Sequence, residues 1–178
     1  MFGCYRAGVV GWFVNRMGIE GLIGLGFANS PSAVAPAPGA SPFFGTNPMA
    51  FGIPRANGQP VVIADMATSQ VALVTVKKHA AEDKPVPMGW GYDKDGNNTT
   101  DANAIINGGA LAHAGGFKGM LLGMLVDLLA GVLSGPSCSF QAPVFKNNTG
   151  GEPKVGQVVI AIPPGTFAPG GDAAYAEC

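Results

Sequence analysis

The chain has 178 residues, of which 47% are apolar and only 12% charged, about half the charged share of about 25% in ordinary domains. That balance excludes a charge-rich disordered chain. Ten Lys and Arg against 11 Asp and Glu give a net charge of -1, which leaves no excess of cations to neutralise a nucleic-acid backbone.

Residues 8–17 are patterned as a short amphipathic helix. Residues 22–28 form a short apolar run that ends in Asn-Ser-Pro, the signature of a buried strand. Pro31, Pro36, Pro38, Pro42 and Pro48 then exclude a helix over 30–48, because each ring removes a donor and restricts its predecessor. Residues 49–53 and 61–65 read as two strands joined by the turn Ala56-Asn57-Gly58-Gln59, since Asn-Gly tolerates the positive φ that a tight hairpin needs. Residues 68–81 read as a helix with Lys77, Lys78 and His79 in its last turns, where they complement the helix dipole.

A turn-rich stretch covers 85–100. Asp101 caps a short helix to Asn107, and Gly115-Gly116-Phe117-Lys118-Gly119 opens a long helix to about Ser134. Residues 157–162 form the last strand, before a small irregular tail over 163–178. The order is mixed, without repeats, and predicts an α/β layer fold in one domain.

The long helix is apolar around Met120, Leu121, Met124, Leu125, Leu128, Leu129 and Val132. It is too short for the roughly 20 residues of a membrane span, and it carries Asp127 at its centre. Gly115, Gly119, Gly123 and Gly131 recur in steps of four with Asp127 in the gap, so they share one face. Close packing of another element on that face is the plainer reading, and an approaching ligand the rival one. No signal peptide is evident at the N-terminus. Cys4, Cys138 and Cys178 are too dispersed for a metal site or a disulfide framework, and a cytoplasmic location is expected.

Several local patterns are decoys. Gly21, Gly24 and Gly26 mimic a dinucleotide fingerprint, but a proline-rich loop follows where that fingerprint needs a helix. Asp93, Asp95, Gly96 and Asn97 mimic the start of a calcium loop, yet Asn98 and Ala104 stand where such a loop needs Gly and Glu; an Asp-Gly hairpin turn fits better. The two histidines, His79 at a solvated helix end and His113 in a loop, show no nucleophile arrangement; for His113 a polar loop residue is the plainer reading and a catalytic role the rival one. Gly115 to Gly119 remains the most suggestive stretch. Exposed backbone N–H groups, a helix N-terminus and Lys118 together suit a phosphate or carboxylate, with a glycine-rich helix entry and a snorkelling lysine as the structural alternative.

Taken together, Phe44-Gly-Thr-Asn-Pro-Met-Ala-Phe-Gly-Ile-Pro54, Asp65-Met-Ala-Thr-Ser69, Gly89-Trp-Gly-Tyr-Asp-Lys-Asp-Gly96, Thr99-Thr-Asp101, Gly109-Ala-Leu111 and the run from Gly115 into Asp127-Leu-Leu-Ala-Gly-Val-Leu-Ser-Gly135 resemble the malate/L-lactate dehydrogenase family of the non-Rossmann type. That family also holds ureidoglycolate and sulfolactate dehydrogenases and Δ1-piperideine-2-carboxylate reductase. The resemblance implies a three-layer α/β fold with a mixed sheet, like that of L-sulfolactate dehydrogenase, incomplete at its N-terminus. It makes residues 1–178 the cofactor-binding portion of a larger enzyme that is a homodimer when complete.

It further implies NAD or NADP as cofactor, with NADPH preferred, and hydride transfer to or from the α-carbon of a small 2-hydroxy or 2-oxo acid of the malate or lactate type. Reduction of cyclic 2-imino acids is the alternative within the family, and a non-catalytic nucleotide- or partner-binding remnant the alternative outside it. By the same resemblance Gly8, Val9, Val10, Gly11, Asp65, Met66, Ala67, Phe117 and Lys118 contact the cofactor, and Thr46, Leu73 and Val74 the substrate. Thr75 stands where the family often has Asp or Lys, which counts against imine reduction. The family's acid/base histidine, its neighbouring serine and its substrate arginine lie upstream of this chain's start, and Tyr5 and Arg6 replace the histidines before Gly8. Loss of those upstream helices would uncover apolar surface.

Overall fold

A computed structural model describes residues 7–55, 61–143, 151–152, 154–167 and 170. The elements in chain order are α1 (Val10–Ile19), β1 (Ile23–Ala28), β2 (Met49–Ile53), β3 (Val62–Met66), α2 (Leu73–Ala81), β4 (Gly91–Tyr92), α3 (Ala102–Ile106), β5 (Ala110–Leu111), α4 (Phe117–Asp127) and β6 (Gln157–Ile162). A π-helical segment, Leu128–Leu133, continues α4. The main sheet has the order β3-β2-β1-β6, and β4 pairs with β5 in a second, two-stranded sheet.

Every pairing between these strands is antiparallel. The expected mixed sheet is therefore absent among the described strands, and the parallel pairing found there is the isolated bridge Val34–Leu111. The cause is the connection between β1 and β2. The proline-rich loop returns the chain beside β1 without a helical crossover, and parallel neighbours need one.

Registers divide the sheet into two unlike faces, because paired residues share a side and successive residues alternate. One face carries Gly24, Gly26, Ala50, Gly52 and Asp65. Helix α1 lies directly on it: a Cβ on Gly24 would come 2.9 Å from the Val14 Cα, and one on Gly52 would come 2.5 Å from the Val14 carbonyl oxygen. The apparent dinucleotide glycines are thus a bed for a helix. The other face is wholly apolar, with Ile23, Leu25, Phe27, Met49, Phe51, Val158 and Ile160 among its residues. Its edges at Val62, Met66 and Ile160 are exposed.

Two apolar cores result. Val10, Val14, Ala28 and Ala50 join α1 to the sheet. Val34, Phe44, Val76, Val86, Ala102, Ile105 and Leu111 join α2, α3 and the small sheet, with Leu73, Trp90 and Met120 packed against them.

Several boundaries differ from the sequence pattern. The helix expected over 68–81 starts only at Leu73. Thr68 and Ser69 are held in sheet-like pairing instead, with Thr68 N donating to the Thr46 carbonyl and Ser69 bridging His113. The first helix runs two residues later than the expected 8–17. The long helix widens after Asp127, so a uniform α-helical spacing to Ser134 does not hold. The small strands β4 and β5 were not foreseen. The Asp-Gly turn forms as expected: Asp93 Oδ1 accepts from Asp95 N and Asn97 N at 2.9 Å each. These bonds, led by that from Asn97, hold the Asp93 carboxyl below its usual value. The expected turn at 56–59 lies outside the described residues, as do Cys4, Tyr5, Arg6, Cys178 and most of the tail; Pro164–Thr166 forms a short 3-10 turn. Among the described residues no helix is long and apolar enough to cross a membrane.

Candidate active site

A cavity of about 740 Å³ opens between the two cores, lined from one side by Gly8, Ala28 and Thr46 and from the other by Leu73, Val74, Ile105 and Leu111. Its size falls in the range of ordinary ligand sites, about 300–1,000 Å³. Four residues assigned to cofactor or substrate from the sequence, Gly8, Thr46, Leu73 and Val74, therefore meet in one space. Two further lining residues, Ser30 and Lys77, escaped the sequence reading. Lys77 was legible in principle, since it stands four residues after Leu73 and three after Val74, on the same face of α2.

The wall around Thr46 is braced by a buried polar network. Asn29 Nδ2 donates to Asp127 Oδ1 at 3.1 Å and to the Ser137 carbonyl at 2.8 Å, and Asn29 Oδ1 accepts from Gly156 N at 2.8 Å. Ser139 donates to Asp127 from its backbone N at 3.0 Å and from its hydroxyl at 2.7 Å. Asn47 Nδ2 donates to the Gly123 carbonyl at 2.9 Å, and Asn47 Oδ1 accepts from Ser30 N at 3.2 Å. These bonds hold Asn47 in the left-handed region, at a φ of 36°, with its side chain fully buried.

Asp127, the one break in the helix's glycine stripe, is thus a buried carboxyl group whose oxygens are met by hydrogen-bond donors. The stripe itself is used for packing. A Cβ on Gly123 would meet His113 and Thr68, and one on Gly131 would meet Asn29. This favours the close-packing reading of the glycine spacing.

The polar groups that reach the cavity can be counted. Asn29 lines it but has spent its amide on Asp127, Ser137 and Gly156. Ser30 Oγ accepts from Thr46 N at 3.1 Å and lies 3.3 Å from Thr46 Oγ1. Two hydroxyls share that contact and one proton serves it, so one hydroxyl proton of the pair is left for a ligand. Ser32 adds a hydroxyl, and Lys77 is the one ionisable side chain among the described residues of the wall. Its ammonium has no ion-pair partner among the described residues.

The other sequence-assigned residues gather outside the cavity. Asp65 Oδ2 accepts from Gly11 N at 2.7 Å, which ties β3 to the first turn of α1 and buries Val10 and Gly11. Val9, at the helix's N-cap, is exposed. Met66 points to the opposite face from Asp65, so the two cannot line the same side of the sheet. Ala67 leads into Thr68 and Ser69, which pair with His113 and Ala114 just before α4.

At that helix start Gly115 and Gly116 have φ of 65° and 62°, a Cβ on either would meet nothing within 4 Å, and Gly116 supplies no side-chain cap. Phe117 and Lys118 follow, both exposed. The N–H groups of this turn are open to an anion.

Two remaining candidates lie away from the cavity. Thr75 is not on its wall. His113 is buried and packed against Phe44, with neither ring nitrogen in hydrogen-bond geometry. Burial pushes its pKa below the ordinary 6.5, and the nearby Thr68 backbone offsets this only in part. A neutral ring away from the cavity does not suit a proton donor. Among the described residues no three His, Cys, Asp or Glu side chains converge on a point.

The profile of the malate/L-lactate dehydrogenase family matches residues 2–176. The chain belongs to that family. It is 40% identical over 168 residues to a (2R)-3-sulfolactate dehydrogenase (NADP(+)) of Chromohalobacter salexigens, covering 94% of this chain and 50% of that protein. To a Δ1-pyrroline-2-carboxylate/Δ1-piperideine-2-carboxylate reductase of Pseudomonas syringae it is 44% identical, covering 82% of this chain and 42% of that one.

The crystal structure of a Δ1-piperideine-2-carboxylate reductase from the same organism superposes with a TM-score of 0.80 at 41% identity, over 88% of this chain and 47% of the other. The chain thus spans about half the length of the relatives it matches. The family comprises NAD(P)-dependent dehydrogenases and reductases, and imine-reducing members recur among the similar proteins.

Proposed function

We propose that this chain forms the cofactor-binding portion of an NAD(P)H-dependent reductase of small cyclic 2-imino acids, with 2-oxo acids as the second substrate class. The observation that carries this reading is the single cavity where Gly8 at the entry to α1 meets Thr46, Leu73 and Val74. Relatives 41–44% identical that reduce Δ1-pyrroline-2-carboxylate support it.

The residues present suit a dinucleotide. The uncapped N-terminus of α4, with Gly115, Gly116 and Lys118, offers donors and positive charge to phosphate. The exposed Phe117 ring offers a surface for stacking. Asp65 spends Oδ2 on Gly11 and keeps Oδ1 for a hydroxyl donor. The reduced nicotinamide, when bound, supplies a hydride to the imine carbon.

The imine-reducing relatives favour an imine over a ketone. An imine is basic enough to arrive protonated, and the wall then binds and orients it. The spare hydroxyl proton of the Ser30–Thr46 pair can hold an acceptor atom of the substrate, and Leu73 and Ile105 offer its ring an apolar surface. The malate- or lactate-type reading has weaker support among these relatives.

Fluorescence titration of the purified chain with NADPH and with NADH tests the proposal. Saturable enhancement of nicotinamide emission, followed by cofactor oxidation on addition of Δ1-piperideine-2-carboxylate, is the expected result. Binding without turnover would leave the non-catalytic alternative. No binding by a chain that melts cooperatively would refute the cofactor site.

A further inference from the structure

We propose that His113 is a proton-sensitive latch for the first turns of α4. Its ring is seated beneath that helix. A Cβ on Gly123 would come 3.0 Å from His113 Cε1 and 3.5 Å from Nδ1, and the Phe44 ring meets the imidazole edge to face with centroids 5.6 Å apart. Both ring nitrogens are buried and neither has a hydrogen-bond partner. A group outside the fold cannot reach them without opening the same contact. Such a seat accepts the neutral ring and rejects the imidazolium, whose two N–H groups both need acceptors. Among the described residues, the charged groups on the elements around it face elsewhere. Asp127, one turn beyond Gly123, is bonded to Asn29 and Ser139. Asp65 is bonded to Gly11, and Lys118 is exposed.

The backbone around the ring decides which side moves. Toward the strands it is clamped: Ala112 N donates to the Trp90 carbonyl at 3.0 Å, Gln70 N to the Ala112 carbonyl at 2.8 Å and Ala114 N to the Thr68 carbonyl at 3.0 Å. Gly115 and Gly116 follow at once, both at positive φ and both with open space around them, so the chain can swivel there without a side-chain clash. Beyond them Phe117, Leu121 and Leu122 are exposed, and Met120 packs against the second core. A firm polar tie comes at Gly123, whose carbonyl accepts from Asn47 Nδ2 at 2.9 Å. Expulsion of a charged ring therefore lifts residues 117–122 about the Gly115–Gly116 hinge and leaves the helix past Gly123 in place. On the cofactor reading above, this is the turn whose N–H groups meet phosphate, so acidification loosens the hold on the dinucleotide. The latch itself rests on that reading only for its ligand.

Burial keeps the pKa of the seated ring below 6.5, whereas a released ring titrates near that value. Proton uptake thus favours the open form as pH falls through it. Opening should increase severalfold, up to about tenfold, between pH 8 and pH 5.5.

Hydrogen–deuterium exchange of the full chain, read by NMR at the amides of 120–123 and divided by the intrinsic rate at each pH, tests the latch. In wild type the corrected rates should rise by that factor, while those of 124–127 stay level. His113→Gln and His113→Leu take up no proton in this range and should both be flat, the second guarding against a local packing fault in the first. A flat wild-type profile would overturn the proposal. So would an equal rise in both variants, which would place the sensor elsewhere, or an equal rise along all of α4, which would show global unfolding. Saturating NADPH should slow exchange at 120–123. A His113-dependent rise with no effect of NADPH keeps the latch and removes the cofactor from this turn; protection by NADPH with a flat pH profile does the reverse.

Discussion

Replacing Asp127 with Ala should destabilise the chain far more than replacing it with Asn. In the native structure Oδ1 receives three donors: Asn29 Nδ2 at 3.1 Å, Ser139 N at 3.0 Å and Ser139 Oγ at 2.7 Å. Oδ2 receives only a longer contact from Ser139 N at 3.2 Å. Alanine removes both oxygens. Asn29 keeps Ser137 and the Ser139 hydroxyl can turn to Asn47 Oδ1 at 3.1 Å, but Ser139 N is left buried without a partner.

An orphaned buried donor costs about 1–3 kcal/mol, and weakening two charge-assisted bonds adds roughly 1 more. Relief from desolvating the carboxylate offsets part of the sum. The expected loss is about 2–4 kcal/mol, or roughly 5–15 °C in Tm for a chain of this length. Asparagine with its oxygen at the Oδ1 position keeps all three short bonds and should lose about 1 kcal/mol. Thermal and urea unfolding of both variants would measure the difference. An Asp127→Ala protein within about 0.5 kcal/mol of wild type would refute the network, since that is the scatter of unremarkable surface substitutions. Equal losses for Ala and Asn would show that the charge, and not the oxygen geometry, is what matters.

Other perturbations probe different parts of the molecule. Gly52→Ala puts a Cβ 2.5 Å from the Val14 carbonyl oxygen, so α1 must lift from the sheet, at a cost of about 1–3 kcal/mol; an unchanged melt would mean that the helix does not rest on β2. His113 is held neutral by burial, its folded pKa lying below the unfolded 6.5. Its contribution is therefore complete above about pH 6.5 and declines as pH falls, because only the unfolded chain takes up the proton. The Tm difference between wild type and His113→Gln should move in the variant's favour from pH 8 to pH 5, and a difference independent of pH would refute the buried neutral ring.

Most of the elements were legible from local pattern. The strands at 49–53 and 157–162 and the cap at Asp101, which accepts from Asn103 N at 2.8 Å, follow from signals that act within a few residues. So does the Asp93–Asn97 turn. The motif blocks fixed the family for the same reason: each is a contiguous run.

What the sequence did not decide depends on partners distant along the chain. The helix expected from Thr68 is preempted by bonds to Thr46 and Ala112, residues far away in sequence. The face each β3 residue takes is set by register with β2, which separates Asp65 from Met66 although they are neighbours in the motif. Asp127 is an odd polar residue in a glycine stripe until Asn29 and Ser139 are brought to it. Lys77 looks like a solvated helix end until the loop holding Ser30 and Thr46 folds opposite α2. Hydropathy and spacing describe one segment at a time, whereas a cavity is made by segments meeting, and only the tertiary structure shows which polar groups are already spent when they do.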